Sequence, residues 1–114
     1  MKVLIVEENE AMCRLIRSLI EELPYAVSEC RDGAQAIAAC VAQQPDWVLL
    51  GLNLSQPGGL AAARQIRLAC PQAKVVVVSD DHQARLRAAA EQAGACGYLL
   101  KENLLELRQL LRSP

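Results

Sequence analysis

Short apolar runs alternate five times with stretches of helical periodicity along this chain, and that alternation leaves few folds open. Lys2–Val6 is a β-branched apolar run of the kind that suits a strand buried on both faces. Residues 75–78 are four consecutive valines, the clearest central-strand signal present. Further apolar runs lie at 25–30, 47–50 and 96–100. Between the first two, Met12, Leu15, Ile16, Leu19, Ile20 and Leu23 recur at helical spacing, with Arg14, Arg17, Ser18 and Glu21 on the opposite face. Asn9 is a ready cap for that helix and Pro24 stops it. Asp32 and Gly33 mark a turn before the alanine-rich helix 34–41. A helix over 60–70 ends at Pro71. Asp80 and Asp81 are expected to open the next helix, where negative charge suits the dipole, with His82 in its first turn. That helix runs to about Ala93, and Gly94 caps it. A last helix is expected over 103–112, with Ser113 and Pro114 starting a linker.

The order is therefore (βα)5: an α/β, doubly wound, five-stranded parallel sheet of flavodoxin-like type with right-handed crossovers. With 114 residues the chain reads as one domain, 1–114. In such folds ligands bind at the carboxyl ends of the strands. Those ends carry Glu7 and Glu8, Gly51, Ser79 and Lys101.

Charge and composition narrow the choice. A net charge of −1 offers no basic face for nucleic acid and no attraction to an anionic membrane. No stretch approaches the roughly 18 apolar residues of a membrane span. The start MKVLIVEENE has too short an apolar run for a signal peptide, so a cytoplasmic protein is expected. Five scattered cysteines (Cys13, Cys30, Cys40, Cys70 and Cys96) with no CxxC pair and one histidine argue against zinc. They read as small buried hydrophobes in a reducing compartment. Trp47 reads as packing. No catalytic set stands out, and the chain is not read as an enzyme. A flavodoxin-like cofactor binder is disfavoured, because there is no G-x-G-x-x-G, no P-loop and only three aromatics. The loop 51–59 holds a weak phosphate cradle at 55–59 at best.

The blocks VLIVEENE, DWVLLGLNLSQPGGL, KVVVVSDD and GACGYLLKENLLEL, in this order and at this spacing, resemble the signature segments of response-regulator receiver domains of two-component phosphorelays. The likeness covers essentially the whole chain. GYLLK with the leucines after it, and LNL after the third strand, look most like receivers that precede helix-turn-helix output domains and serve transcription regulation. The resemblance implies an acidic pair holding Mg²⁺, an aspartate that takes the phosphoryl group, and a hydroxyl and a lysine that bind its oxygens. Residue by residue, Glu7 and Glu8 match the acidic pair, Ser79 the hydroxyl, Lys101 the lysine and Tyr98 the aromatic switch. Gly51 falls at the acceptor position.

The departures decide the expected chemistry. Phosphoryl transfer needs a carboxylate nucleophile, which glycine lacks. Mg²⁺ demands near-octahedral oxygen geometry, so the pair Glu7 and Glu8, one a methylene longer than the usual aspartate, should bind it weakly or not at all. The expectation is thus a pseudo-receiver with a degenerate pocket (Glu7, Glu8, Gly51, Ser79, Lys101) and no cofactor. Glu7 and Glu8 are either a vestigial metal site or a polar pair of which Lys101 neutralises one member. Asp46 lies at the wrong end of the sheet to substitute for the acceptor. Glu102 replaces the family's usual proline, which predicts a trans bond and a reshaped entry to the last helix.

Leu104, Leu107 and Leu111 lie on one face of that helix, and Leu105 and Leu110 widen the arc beyond what one-sided packing needs. The surplus points to a contact surface on the fourth helix, fifth strand and fifth helix, for a homodimer or an output domain. The leading function is a signalling module acting through protein contacts. The alternative is a receiver phosphorylated on an unconventional acceptor, Ser79 or a displaced acid.

Overall fold

The computed structural model describes residues 1–54 and 58–112. Five strands, β1 (Lys2–Val6), β2 (Ala26–Cys30), β3 (Trp47–Gly51), β4 (Lys74–Ser79) and β5 (Gly97–Leu100), form one parallel sheet in the order β2-β1-β3-β4-β5. Five helices, α1 (Glu10–Ile20), α2 (Gly33–Gln43), α3 (Gly59–Ala69), α4 (Ala84–Gln92) and α5 (Glu106–Arg112), alternate with them. The (βα)5 reading is therefore observed, and the expected linker start at Ser113 and Pro114 lies outside the described residues.

Two faces of the sheet bury two cores, because successive side chains of a strand point to opposite sides. Leu4, Val6, Val48, Leu50, Val75 and Val77 pack on one face beneath α2, α3 and α4. Val3, Ile5, Leu49, Val76, Val78 and Leu99 pack on the other beneath α1 and α5. This is why β3 and β4 read as unbroken apolar runs rather than alternating ones. Trp47 is buried as expected, with the Lys74 ammonium 5.0 Å from its ring centre.

Caps explain the helix starts. Asn9 accepts the Met12 N–H at 2.9 Å, and Asp32 accepts the Gln35 N–H at 2.8 Å, so α2 starts at Gly33. Gly94 follows α4 at φ +104°, a conformation that excludes most side chains. Leu104, Leu107 and Leu111 are buried, as their common face requires.

Three expectations are corrected. First, α4 begins at Ala84, so Asp80, Asp81 and His82 sit in the loop before it. The reason is competition for the backbone of Asp81: its N–H goes to Ser79 Oγ at 3.0 Å and its carbonyl accepts the Tyr98 hydroxyl at 2.8 Å. Second, the last helix is split into a 3₁₀ turn over Lys101–Asn103 and α5 proper from Glu106. Third, Cys13, Cys30, Cys40 and Cys70 are buried but Cys96 is exposed. Burial pushes the Cys13 thiol up to about 11 and Cys40 up to about 12, so neither supplies thiolate near neutral pH. A disulfide-exchange reagent at pH 7.5 is expected to titrate one thiol quickly in the native protein and five in denaturant; more than one fast thiol would show that the core opens readily.

Candidate functional site

All five strands are parallel, so their carboxyl ends share one edge of the sheet. Register places the residues of interest side by side on it. Val6 is paired with Leu50, Gly51 with Val78, and Ser79 with Leu100. Glu7, Gly51, Ser79 and Lys101 therefore follow one another across β1, β3, β4 and β5. The structure brings together the residues that the sequence reading singled out, and it leaves Asp46 at the opposite edge, where its carboxylate accepts the Lys2 N–H at 2.7 Å.

Glu7 is buried, with 7% of its surface exposed, and its carboxylate turns toward β3. A Cβ placed on Gly51 would stand 2.8 Å from Glu7 Oε1 and 3.3 Å from its carboxyl carbon. The glutamate thus fills the notch that the glycine leaves. Its other oxygen accepts the Asn9 N–H at 2.9 Å, which anchors the carboxylate at the start of α1. Burying a carboxylate is costly without such a partner. Glu8 is exposed on the adjoining loop.

Lys101 was expected to neutralise one member of the acidic pair. Among the described residues, no ion pair joins Lys101 to Glu7. Glu7 is turned inward onto the glycine notch and the Asn9 amide instead. Lys101 is half-buried and lines a cavity of about 250 Å³ with Asp80, His82, Leu100 and Glu102. His82 and Glu102 meet across the mouth of that cavity at 3.0 Å, joining the loop after β4 to the 3₁₀ turn after β5. The sequence reading missed this pair. Glu102 entered it only as the residue replacing a proline, and contact between two loops leaves no periodic trace.

Ser79 is 1% exposed, and its hydroxyl accepts the Asp81 N–H. It acts as a loop hydroxyl, since α4 starts five residues later. Tyr98 lies inward, buried, with its hydroxyl on the Asp81 carbonyl. The loop after β4 is thus gripped from both sides, by Ser79 below and by Tyr98 beside it. The residues 55–57 of the loop considered as a phosphate cradle lie outside the described residues. Of the remainder, the Gly59 N–H donates to the Leu52 carbonyl at 3.1 Å and is not open to a ligand.

Beyond Tyr98 the surface opens into a groove of about 400 Å³ between α4, β5 and α5, bordered by Arg87, Leu99, Glu106 and Leu110. Leu105 is 71% exposed, whereas Leu110 is half-buried against the core on its own face. No helix among the described residues is long and apolar enough to cross a membrane.

Comparison with known proteins agrees with this architecture. The family described as "Response regulator receiver domain" matches residues 3–112. The chain is 33% identical over 101 residues to the response regulator UvrY of Escherichia coli O6:H1, covering 87% of this chain and 46% of that protein. It is 32% identical over 100 residues to the alginate biosynthesis transcriptional regulatory protein AlgB of Pseudomonas syringae pv. tomato, covering 88% of this chain and 22% of that protein. The chain thus spans less than half the length of these relatives. Among solved structures, a LuxR-family two-component response regulator from Aurantimonas sp. SI85-9A1 superposes with a TM-score of 0.91 at 30% identity, covering 98% of this chain and 82% of that one. A two-component response regulator from Clostridium difficile superposes with a TM-score of 0.92 at 21% identity, covering 99% and 93%, a likeness of fold alone. With the family matched along nearly its whole length and the (βα)5 sheet in place, this chain belongs to the response-regulator receiver domain family.

Proposed function

We propose that this receiver domain works as a protein-contact module of two-component signalling whose state is set without aspartyl phosphorylation. The observation that carries the reading is the notch at Gly51. The acceptor position has no side chain, and the space beside it is taken by the Glu7 carboxylate. Glycine offers no nucleophile. Glu7 is also a poor substitute acceptor, since it is buried and held by the Asn9 amide.

The same geometry argues against a competent Mg²⁺ site. Mg²⁺ asks for oxygens at near-ideal octahedral positions. Glu7 faces the glycine notch with one oxygen and a backbone amide with the other. This orientation of Glu7 suits the ion poorly, and no step of the proposed function runs through it.

Output would pass through the α4–β5–α5 face. There Leu105 and the groove bordered by Leu99 and Leu110 offer apolar area to an output domain or a second copy. A partner that favours one conformation moves the equilibrium by its differential affinity, and no phosphate is required.

The test is incubation with acetyl phosphate and Mg²⁺, followed by intact mass, beside a Gly51→Asp variant. The natural protein is expected to gain no phosphoryl group and the variant to gain one. Modification of the natural protein would overturn the reading, and the modified residue would then be the acceptor.

A further inference from the structure

Tyr98 is held inward without phosphate, and the chain itself supplies the means. The late start of α4 at Ala84 puts Arg87 in its first turn, where the side chain reaches across β5. The Arg87 guanidinium carbon lies 5.0 Å from the centre of the Tyr98 ring. One of its nitrogens also donates to the Tyr98 backbone carbonyl at 3.2 Å. On the far side, the Tyr98 hydroxyl donates to the Asp81 carbonyl at 2.8 Å, and the Asp81 N–H is held by Ser79 Oγ. One aromatic side chain thus joins the strand-end pocket to the α4–β5–α5 groove, and the cation that covers it borders that groove.

We propose that Arg87 is a positioning residue that latches Tyr98 inward, fixing the loop 80–83 and the shape of the α4–β5–α5 face in place of a phosphoryl signal. This rests on the phosphate-independent reading above and names the regulation of that same site. A guanidinium suits the task on two counts. It stacks on an aromatic face, and its planar fork still reaches a carbonyl. Arg87 is exposed, so its removal leaves no cavity and a folded variant is expected. A partner group that recruited this guanidinium in the groove would release the ring, which makes the latch the point where binding is felt by the pocket.

The experiment uses 3-fluorotyrosine labelling. The chain has two tyrosines, and Tyr98→Phe assigns their two fluorine signals. No phosphoryl donor is present, so the outcome is independent of whether the pocket accepts phosphate. Arg87→Met keeps an unbranched apolar stem and removes the charge. It is expected to raise the outward population of Tyr98 roughly five- to thirtyfold, which moves its fluorine signal toward that of an exposed tyrosine and speeds amide exchange at Asp81 and Gln83. Arg87→Lys keeps a cation near the ring but loses the planar fork to the Tyr98 carbonyl, and is expected to retain part of the inward signal. An unmoved Tyr98 signal in Arg87→Met overturns the latch. So does an equal displacement in Arg87→Met and Arg87→Lys, because the charge would then not be what holds the ring.

Discussion

Replacing Gly51 with aspartate is expected to make the stability of this protein depend on Mg²⁺. The new Cβ would start 2.8 Å from Glu7 Oε1, closer than two such atoms sit. The obstacle is the far end of a flexible side chain, so Glu7 swings away and the fold survives. What the swing cannot remove is charge, because two carboxylates then share one partly dry space and each disfavours ionisation of the other. A carboxyl whose folded pKa is raised above its unfolded value binds protons more tightly in the native state. Stability therefore falls as pH rises through and above the ordinary carboxylate range, and acidification restores it. In chelator at pH 7 the variant should lose about 1–3 kcal/mol relative to the natural protein, the size typical of an uncompensated buried charge contact. Millimolar Mg²⁺ should return most of that loss, since a cation bound only by the native state stabilises it by mass action. The natural protein should be indifferent to Mg²⁺ over the same range. Denaturant melts of both proteins with and without Mg²⁺ check this. A natural protein that is itself stabilised by Mg²⁺ would mean that Glu7 leaves its notch readily and that a metal site survives.

The second large effect is expected at Gly59, the first residue of α3. Here the obstacle is backbone. A Cβ on Gly59 would lie 2.5 Å from the Leu52 carbonyl oxygen, 2.7 Å from that of Gly51 and 2.7 Å from the Leu52 Cα. None of these atoms can turn aside, so Gly59→Ala must lift the start of α3 off the end of β3. That breaks the Gly59-to-Leu52 hydrogen bond and loosens Ala62, Ala63 and Ile66 from the core they fill. A loss of about 2–4 kcal/mol is expected, the scale of core disruption rather than of surface substitution. Gly58→Ala is the internal control. Among the described residues its Cβ would meet the Leu54 carbonyl at 3.7 Å, an ordinary contact, so it should fall within about 0.5 kcal/mol of the natural protein. Urea midpoints of the two variants decide the matter. Equal midpoints would mean that α3 is not seated on the β3 end as described. The glycine is thus a geometric requirement at the same strand end that carries Gly51.

Much of this protein was legible in its sequence. The five apolar runs and the helical spacing between them are local properties, and they dictate (βα)5 because a two-sided apolar strand must be covered on both faces. Once all strands are parallel, their carboxyl ends share an edge, so Glu7, Gly51, Ser79 and Lys101 had to become neighbours. The absence of a side chain at Gly51 is likewise a property of the sequence alone. What only the tertiary structure decided is where flexible side chains turn and where a helix starts when several groups compete for one backbone. Glu7 and Glu8 were expected to form a polar loop pair or a vestigial metal site, and the notch beside β3 and the Asn9 amide draw Glu7 inward. Asp80 and Asp81 carry a good helix-start signal, but Ser79 and Tyr98 take the Asp81 amide and carbonyl and delay α4 to Ala84. That delay places Arg87 over Tyr98, a contact between residues eleven apart on different elements that no periodicity could announce. Local pattern specifies which elements form, because hydrophobic burial is set by composition and spacing. The site's conformation is settled by competition among a few hydrogen bonds, each comparable in strength, and that competition exists only once the chain has folded.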